Sequence, residues 1–226
     1  NFGASAHGVF TDRVGALSDP EMRHGRKSRS KRFDGYKRHV AVVDRLIVGT
    51  AVLPANAPEH LATEQLIEAA EHHAPIERLD IDRGYLASPL VAELHDSGTI
   101  INARPWKSAR VQGRYSKEDF RIDLRRRQVT CPNGVVVAIN DNLRAPFPRA
   151  ACRPCPLRPN CTTAPNRSVD IHPSEGMLIE LRRRAKTKSG RRELRERVAV
   201  EHRLARIGFI QEDRARYRGA RNNELD

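Results

Sequence analysis

Aromatic side chains are scarce, with six Phe, four Tyr and one Trp making up 5% of 226 residues. Stacking of bases on aromatic platforms is therefore not the mode of any nucleic-acid contact here, and contacts to phosphate take its place. No apolar run is long enough to span a bilayer, and no basic amphipathic anchor or signal peptide is visible, so a cytoplasmic setting is expected. Cysteine is limited to four residues, Cys131, Cys152, Cys155 and Cys161. They fall in one window, and in such a chain clustered thiols more often ligate metal than form disulfides. Acidic residues are also few, 28 against 41 Lys and Arg, which leaves a formal net charge of +13. That excess concentrates polyanions, and nucleic acid is the expected partner. The chain opens Asn-Phe-Gly without Met, which reads as a fragment whose start lies upstream.

Residues 1–32 hold few large apolar side chains and end in a basic run from His24 to Arg32. An exposed arm is expected, either a solvated charge run or a phosphate contact through Arg23, Arg26, Lys27, Arg29, Lys31 and Arg32, since crowded cations repel unless an anion lies beside them. Asp19-Pro20-Glu21 before it reads as a turn or helix start. From Tyr36 to Val43 and from Leu46 to Leu53 two β-rich runs flank Asp44-Arg45, a hairpin pattern. Helical spacing follows over 59–71, and then Arg78-Leu-Asp-Ile-Asp-Arg-Gly-Tyr85 reads as strand, turn and the start of a helix over 88–94, with a further strand over 99–103. Strand, strand, helix, strand, helix, strand predicts an α/β core with an antiparallel edge pair and parallel strands joined through helices. Asp82 would sit at the end of a buried strand; on this segment alone, capping of the turn is the simpler role.

The stretch 106–115 is basic and turn-rich, and a second small hairpin is expected around Pro132-Asn133-Gly134, with Cys131 at its turn. Cys152-Arg-Pro-Cys155 and Cys161 follow on a proline-stiffened loop. A Cys-x-x-Cys pair with two more thiols suits tetrahedral Zn²⁺; free structural thiols and an iron–sulfur cluster are the alternatives. Residues 175–210 read as a long basic helix broken at Gly190. Leu194, Val198, Glu201, Leu204 and Ala205 recur at steps of three and four, which sets Glu201 near an apolar stripe. A carboxylate there needs a partner. Pairing with Arg197, exposure at the stripe's edge and metal ligation all satisfy that need, and the spacing does not choose among them.

A strand-borne Asp and a helix-borne Glu on an α/β core in a basic chain suit two-metal phosphoryl transfer, where shared carboxylates hold two ions about 3.5–4 Å apart. The chain resembles bacterial insertion-sequence transposases of the DDE type. The resemblance rests on Ser18-Asp-Pro-Glu-Met-Arg-His-Gly-Arg-Lys-Ser28, Phe33-Asp-Gly-Tyr-Lys37, Asp82-Arg-Gly-Tyr85, Cys152-x-x-Cys-Pro156, Arg197-x-x-x-Glu201 and Arg216-Tyr-Arg-Gly-x-Arg-Asn222. Leu194 and Gly208 stand where the related signature has Tyr and Lys. The resemblance implies an RNase H-like mixed sheet flanked by helices with a small cysteine-rich β insertion. It divides the chain into a basic arm 1–32, a core 33–105, an insertion 106–170 and a C-terminal helical part 171–226. It implies that Asp82 and Glu201 are the second and third catalytic acids and bind Mg²⁺ or Mn²⁺, and that Arg197 contacts phosphate. The implied partner is double-stranded DNA at transposon ends and target, with a homodimer to pair the ends. The family's first acid lies on a first strand, and no strand bearing an Asp is expected before Tyr36; the first acid is thus expected upstream, with Asp19 as the candidate within the chain. The alternative function is a catalytically inactive, zinc-stabilised DNA-binding remnant.

Overall fold

The computed structural model describes residues 14–26, 30–44, 46–106, 108, 110–196 and 217–224. The chain divides into two compact units, one of Asn1–Arg104 with Thr187–Asp226 and the other of Pro105–Lys186. The sequence placed these boundaries at 105/106 and 170/171.

The first unit opens with β1 (Val14–Ala16), β2 (Asp19–Arg26), β3 (Arg32–Val43) and β4 (Leu46–Pro54), an antiparallel sheet in the order β1-β2-β3-β4. The β3–β4 hairpin is the one expected. Its ladder runs from Tyr36 opposite Pro54 to Val43 opposite Leu46. Asp44 takes a φ of 47° at the turn, a left-handed conformation that Asp tolerates better than most residues. Helix α1 (Thr63–Glu71) packs Leu66 and its approach residue Ala62 onto Ala51 of β4, with Ala41, Leu53 and Tyr85 around them. Burying a leucine in this way contributes about 1.5–3 kcal/mol. The helix lies so close to the sheet that a Cβ at Gly49 would stand 2.5 Å from the Ala69 Cβ. Gly49→Ala must push α1 outward, and an expected loss of about 1–3 kcal/mol should lower the urea midpoint at constant slope. An unchanged midpoint would mean that α1 does not rest on β4 at this point.

Next come β5 (Arg78–Asp80), α2 (Pro89–Asp96) and β6 (Ile100–Asn102), with β5 and β6 parallel and joined through the helix. This is the expected strand–helix–strand unit. The hydrogen bonds of the described residues form four small sheets, however, and the parallel pair is separate from the antiparallel four. Strands of three residues offer only one or two ladder bonds each, too few to recruit a neighbour.

The second unit holds a meander of β7 (Arg121–Asp123), β8 (Gln128–Thr130) and β9 (Val136–Ala138), then β10 (Arg144–Pro146), the short helix α3 (Arg149–Cys152), β11 (Ser168–Asp170) antiparallel to β10, and α4 (Glu175–Lys186). The expected turn is present, with Gly134 at φ 84°. Phe120, Val129, Ile139, Ala145, Phe147, Val169 and Ile171 form its core. The chain then returns to the first unit with α5 (Lys188–Glu196) and α6 (Ala220–Glu224).

Two differences from the sequence reading have clear causes. The helical stretch breaks at Thr187 and not at Gly190, which lies inside α5: the Thr187 hydroxyl accepts the Gly190 N–H at 3.0 Å, an N-cap geometry that starts a new helix. Basic residues expected in an arm belong in part to strands, because His24-Gly25-Arg26 pairs with Arg32-Phe33-Asp34. No helix among the described residues is long and apolar enough to cross a membrane.

Candidate functional site

Asp19 begins β2, an internal strand of the four-stranded sheet, and corrects the expectation that no strand before Tyr36 bears an Asp. The segment Asp-Pro-Glu-Met-Arg-His-Gly-Arg is poor in β formers, so pairing makes it a strand, Asp19 with Ala16 of β1 and Arg23–Arg26 with β3. The carboxylate is 4% exposed and well supplied with donors. Tyr36 Oη donates to Oδ1 at 2.7 Å, the Glu21 N–H to the same oxygen at 3.3 Å and the Gly219 N–H to Oδ2 at 3.2 Å. Burial alone raises this carboxyl, but those donors outweigh it and hold Asp19 below the usual carboxylate range. The Ala220 N–H donates to Glu21 Oε2 at 2.7 Å, so the strand's two acids together anchor the segment 217–224.

Asp82 lies two residues beyond β5, exposed, and its Oδ1 accepts the Arg83 N–H at 2.7 Å. It caps the short helical turn Arg83–Ala87, the simpler role read from the segment. The strand is less buried than expected, with Arg78 exposed and Leu79 and Asp80 half-buried. Tyr85, five residues past β5, donates its hydroxyl to His39 Nδ1 at 2.5 Å. Burial, then the nearby Lys37 charge, push His39 down to about 4, so the ring is neutral and can accept that proton. Burial first, then the Glu59 and Asp82 charges, raise the Tyr85 phenol. The Asp82 turn is thereby tied to β3.

A second tether was not legible in the sequence. Asn102, 3% exposed, donates to the Asp80 carboxylate and to the Glu193 carbonyl at 3.1 Å. Arg78 forks onto Asp80 at 2.9 and 3.1 Å and approaches Glu196 at 3.9 Å. Helix α5 is thus fastened to the β5–β6 pair. A polar Asn within the apolar run Ile100-Ile101-Asn102-Ala103 is the signal that could have pointed to it. Glu201 and Arg197, which follow α5, lie outside the described residues, as do Lys27 and Arg29.

At the mouth of the β2–β3 hairpin Arg26 stands directly opposite Arg32, and both are exposed. Like charges facing across a ladder destabilise it, and a phosphate between them removes the penalty. Lys31 is exposed beside them, whereas Arg23 is half-buried and turns back onto the Pro20 and Met22 carbonyls. Arg32→Glu should therefore raise stability by about 0.2–1 kcal/mol and at the same time weaken DNA binding. Thermal melting and a salt titration of affinity measure the two effects, and equal loss of both would assign the pair a purely structural role.

The four thiols are unpaired and half-buried. All four line one cavity in the second unit, together with Tyr115, Phe120, Phe147 and Arg167. Among the described residues no three Cys, His, Asp or Glu side chains stand as a ready metal shell, so neither the acids nor the thiols form one as they lie.

A basic α/β chain with carboxylates on its strands and arginines opposed at a hairpin mouth has the make-up of a protein that handles nucleic acid. Residues 130–226 match the family described as the transposase DDE domain. The match covers the C-terminal 97 of the 226 residues and makes that part of the chain similar to DDE transposases. Comparison with curated proteins and with solved structures gives no match.

Proposed function

We propose that the chain provides the DNA-binding and phosphodiester-cleaving activity of a transposase, with Asp19, Asp82 and Glu201 as its acids. The observation that carries this reading is the tether of α5 to the β5–β6 pair through Asn102 and Glu193, because the chain enters the Glu201 segment beside the strand that leads to Asp82. The strand order also supports an RNase H-like core, since an antiparallel hairpin set precedes parallel strands joined by a helix. Asp82 fits a hard divalent ion such as Mg²⁺ or Mn²⁺, being exposed and anionic on a turn fixed by Tyr85 and His39. Such an ion, when bound, activates an attacking oxygen at the phosphodiester and stabilises the leaving one. Arg26 and Arg32 hold backbone phosphates and set the DNA's register. The same 3′-hydroxyl that cleavage frees would attack target DNA, and pairing of two ends favours a homodimer.

One observation favours a second reading. Both oxygens of Asp19 already accept internal hydrogen bonds; on this reading Asp19 is spent on anchoring the segment 217–224, leaving a chain that binds DNA without cutting it. Incubating labelled duplex carrying the element's ends with the chain and Mg²⁺ or Mn²⁺ separates the two. Metal-dependent cleavage lost in Asp19→Asn supports the enzyme; salt-sensitive binding with no cleavage supports the remnant.

A further inference from the structure

The strands of the second unit are three residues long, and its core holds a cluster of seven buried side chains, two of them Phe, with Met177, Leu178 and Leu181 of α4 also buried. A unit this small with so few apolar anchors commonly needs a covalent or metal staple. All four cysteines of the chain gather at one end of that core. Cys131 lies on the turn after β8, where its carbonyl accepts the Gly134 N–H at 2.9 Å and its N–H donates to the Val135 carbonyl at 2.9 Å. Cys152 ends α3, the Cys155 N–H turns back onto the Cys152 carbonyl at 3.4 Å, and Cys161 closes the turn Arg158–Asn160. Two tight turns and a helix end thus deliver four thiols to one cavity from positions up to thirty residues apart in the sequence.

The cavity has a volume of about 30 Å³, which suits a water or a single ion and is too small for an organic ligand. Its remaining lining is largely apolar, apart from Arg167. The Arg167 guanidinium lies over the Phe120 ring, 5.4 Å from its centroid, and its buried Nε has no hydrogen-bond partner among the described residues. An unspent donor and a positive charge beside four thiols are what an anionic metal–thiolate centre requires around it.

We infer that Cys131, Cys152, Cys155 and Cys161 bind one Zn²⁺ as a structural staple of the second unit. The sulfurs do not stand as a shell before binding. Rotation about χ1 carries each one inward without moving its Cα, and each ligand thiol gives its proton to water as the Zn–S bond forms. Arg167 offsets part of the negative charge that remains on the thiolates.

The test uses the full chain. Zinc released from the purified protein should amount to about one ion per chain, and Co²⁺ in its place should give the charge-transfer and tetrahedral d–d absorption of a thiolate site. Added Zn²⁺ should slow the reaction of all four thiols with a thiol reagent and raise the melting temperature, and removing it with a chelator should reverse both effects. Cys155→Ser should cut bound zinc by about tenfold or more. Full thiol reactivity in the presence of Zn²⁺, a disulfide between any two of the four, or the visible absorption of an iron–sulfur cluster would each overturn the inference.

Discussion

Asp82→Asn is expected to abolish metal-dependent cleavage while leaving the fold and DNA affinity intact. Removal of one electrostatic stabiliser of a transition state costs about 10²–10³ in rate, and a group that also holds the metal carries more, so activity should fall at least that far. The substitution is clean for a structural reason. Asp82 is exposed, and its contact to the helical turn is acceptance of the Arg83 N–H at 2.7 Å, which the Asn carbonyl oxygen can also accept. The charge is lost and the cap is kept. Unchanged melting and unchanged salt dependence of binding, with cleavage gone, would place Asp82 at the chemistry. Cleavage at more than a tenth of the wild-type rate would sink its role as a metal-holding acid, and a collapsed fold would return the residue to capping.

The parts of this molecule that the sequence disclosed are those in which local pattern and tertiary structure agree. The β3–β4 hairpin has β-branched runs on both sides of Asp44-Arg45, and the segment around Asp82 carries its own turn residues, so each was readable from its neighbours alone. β2 was not, because Asp19-Pro20-Glu21 favours a turn locally and becomes strand only through pairing, Asp19 with Ala16 of β1 and the far end with β3. That single misreading also hid the place of Asp19, since an acid in a turn and an acid on an internal strand invite different roles. Gly190 was taken for a helix break on propensity, whereas the decisive residue was Thr187, whose hydroxyl offers an acceptor to the N–H three residues on. The Asn102 tether joins residues about ninety positions apart, a distance over which no periodic pattern carries information. The gathering of the cysteines was foreshadowed by their clustering, but their seat on the apolar core of the second unit required the fold.

Glu175→Gln is expected to destabilise the second unit by about 3 kcal/mol, near the low end of the ~3–5 kcal/mol that follows loss of one partner from a buried charge network. Glu175 begins α4 and is 1% exposed. Its carboxylate accepts from Lys117 Nζ and from Arg182 Nη1 at 2.9 Å, and the His172 N–H adds a bond at 3.0 Å. Burial by itself raises the carboxyl, but Lys117, His172 and Arg182 together pull it below the ordinary value. Glutamine preserves the shape and leaves two cations facing a neutral amide; Lys117 keeps 23% of its side chain in water, which is why the low end applies. The pH dependence has a definite sign. Because the folded value is depressed, the stabilisation is fully present above the unfolded value of 4.5 and is lost as pH falls through the folded one. Denaturant midpoints at pH 7 and pH 3 should therefore converge in wild type and variant as the acid is protonated. A constant gap between them would show that Glu175 contributes through packing alone. Replacing Glu175, Lys117 and Arg182 together by apolar residues of similar volume should recover most of the loss, since a dry core at that site needs no charge balance. Failure to recover it would mean that the network fixes the start of α4 in a way that packing cannot replace.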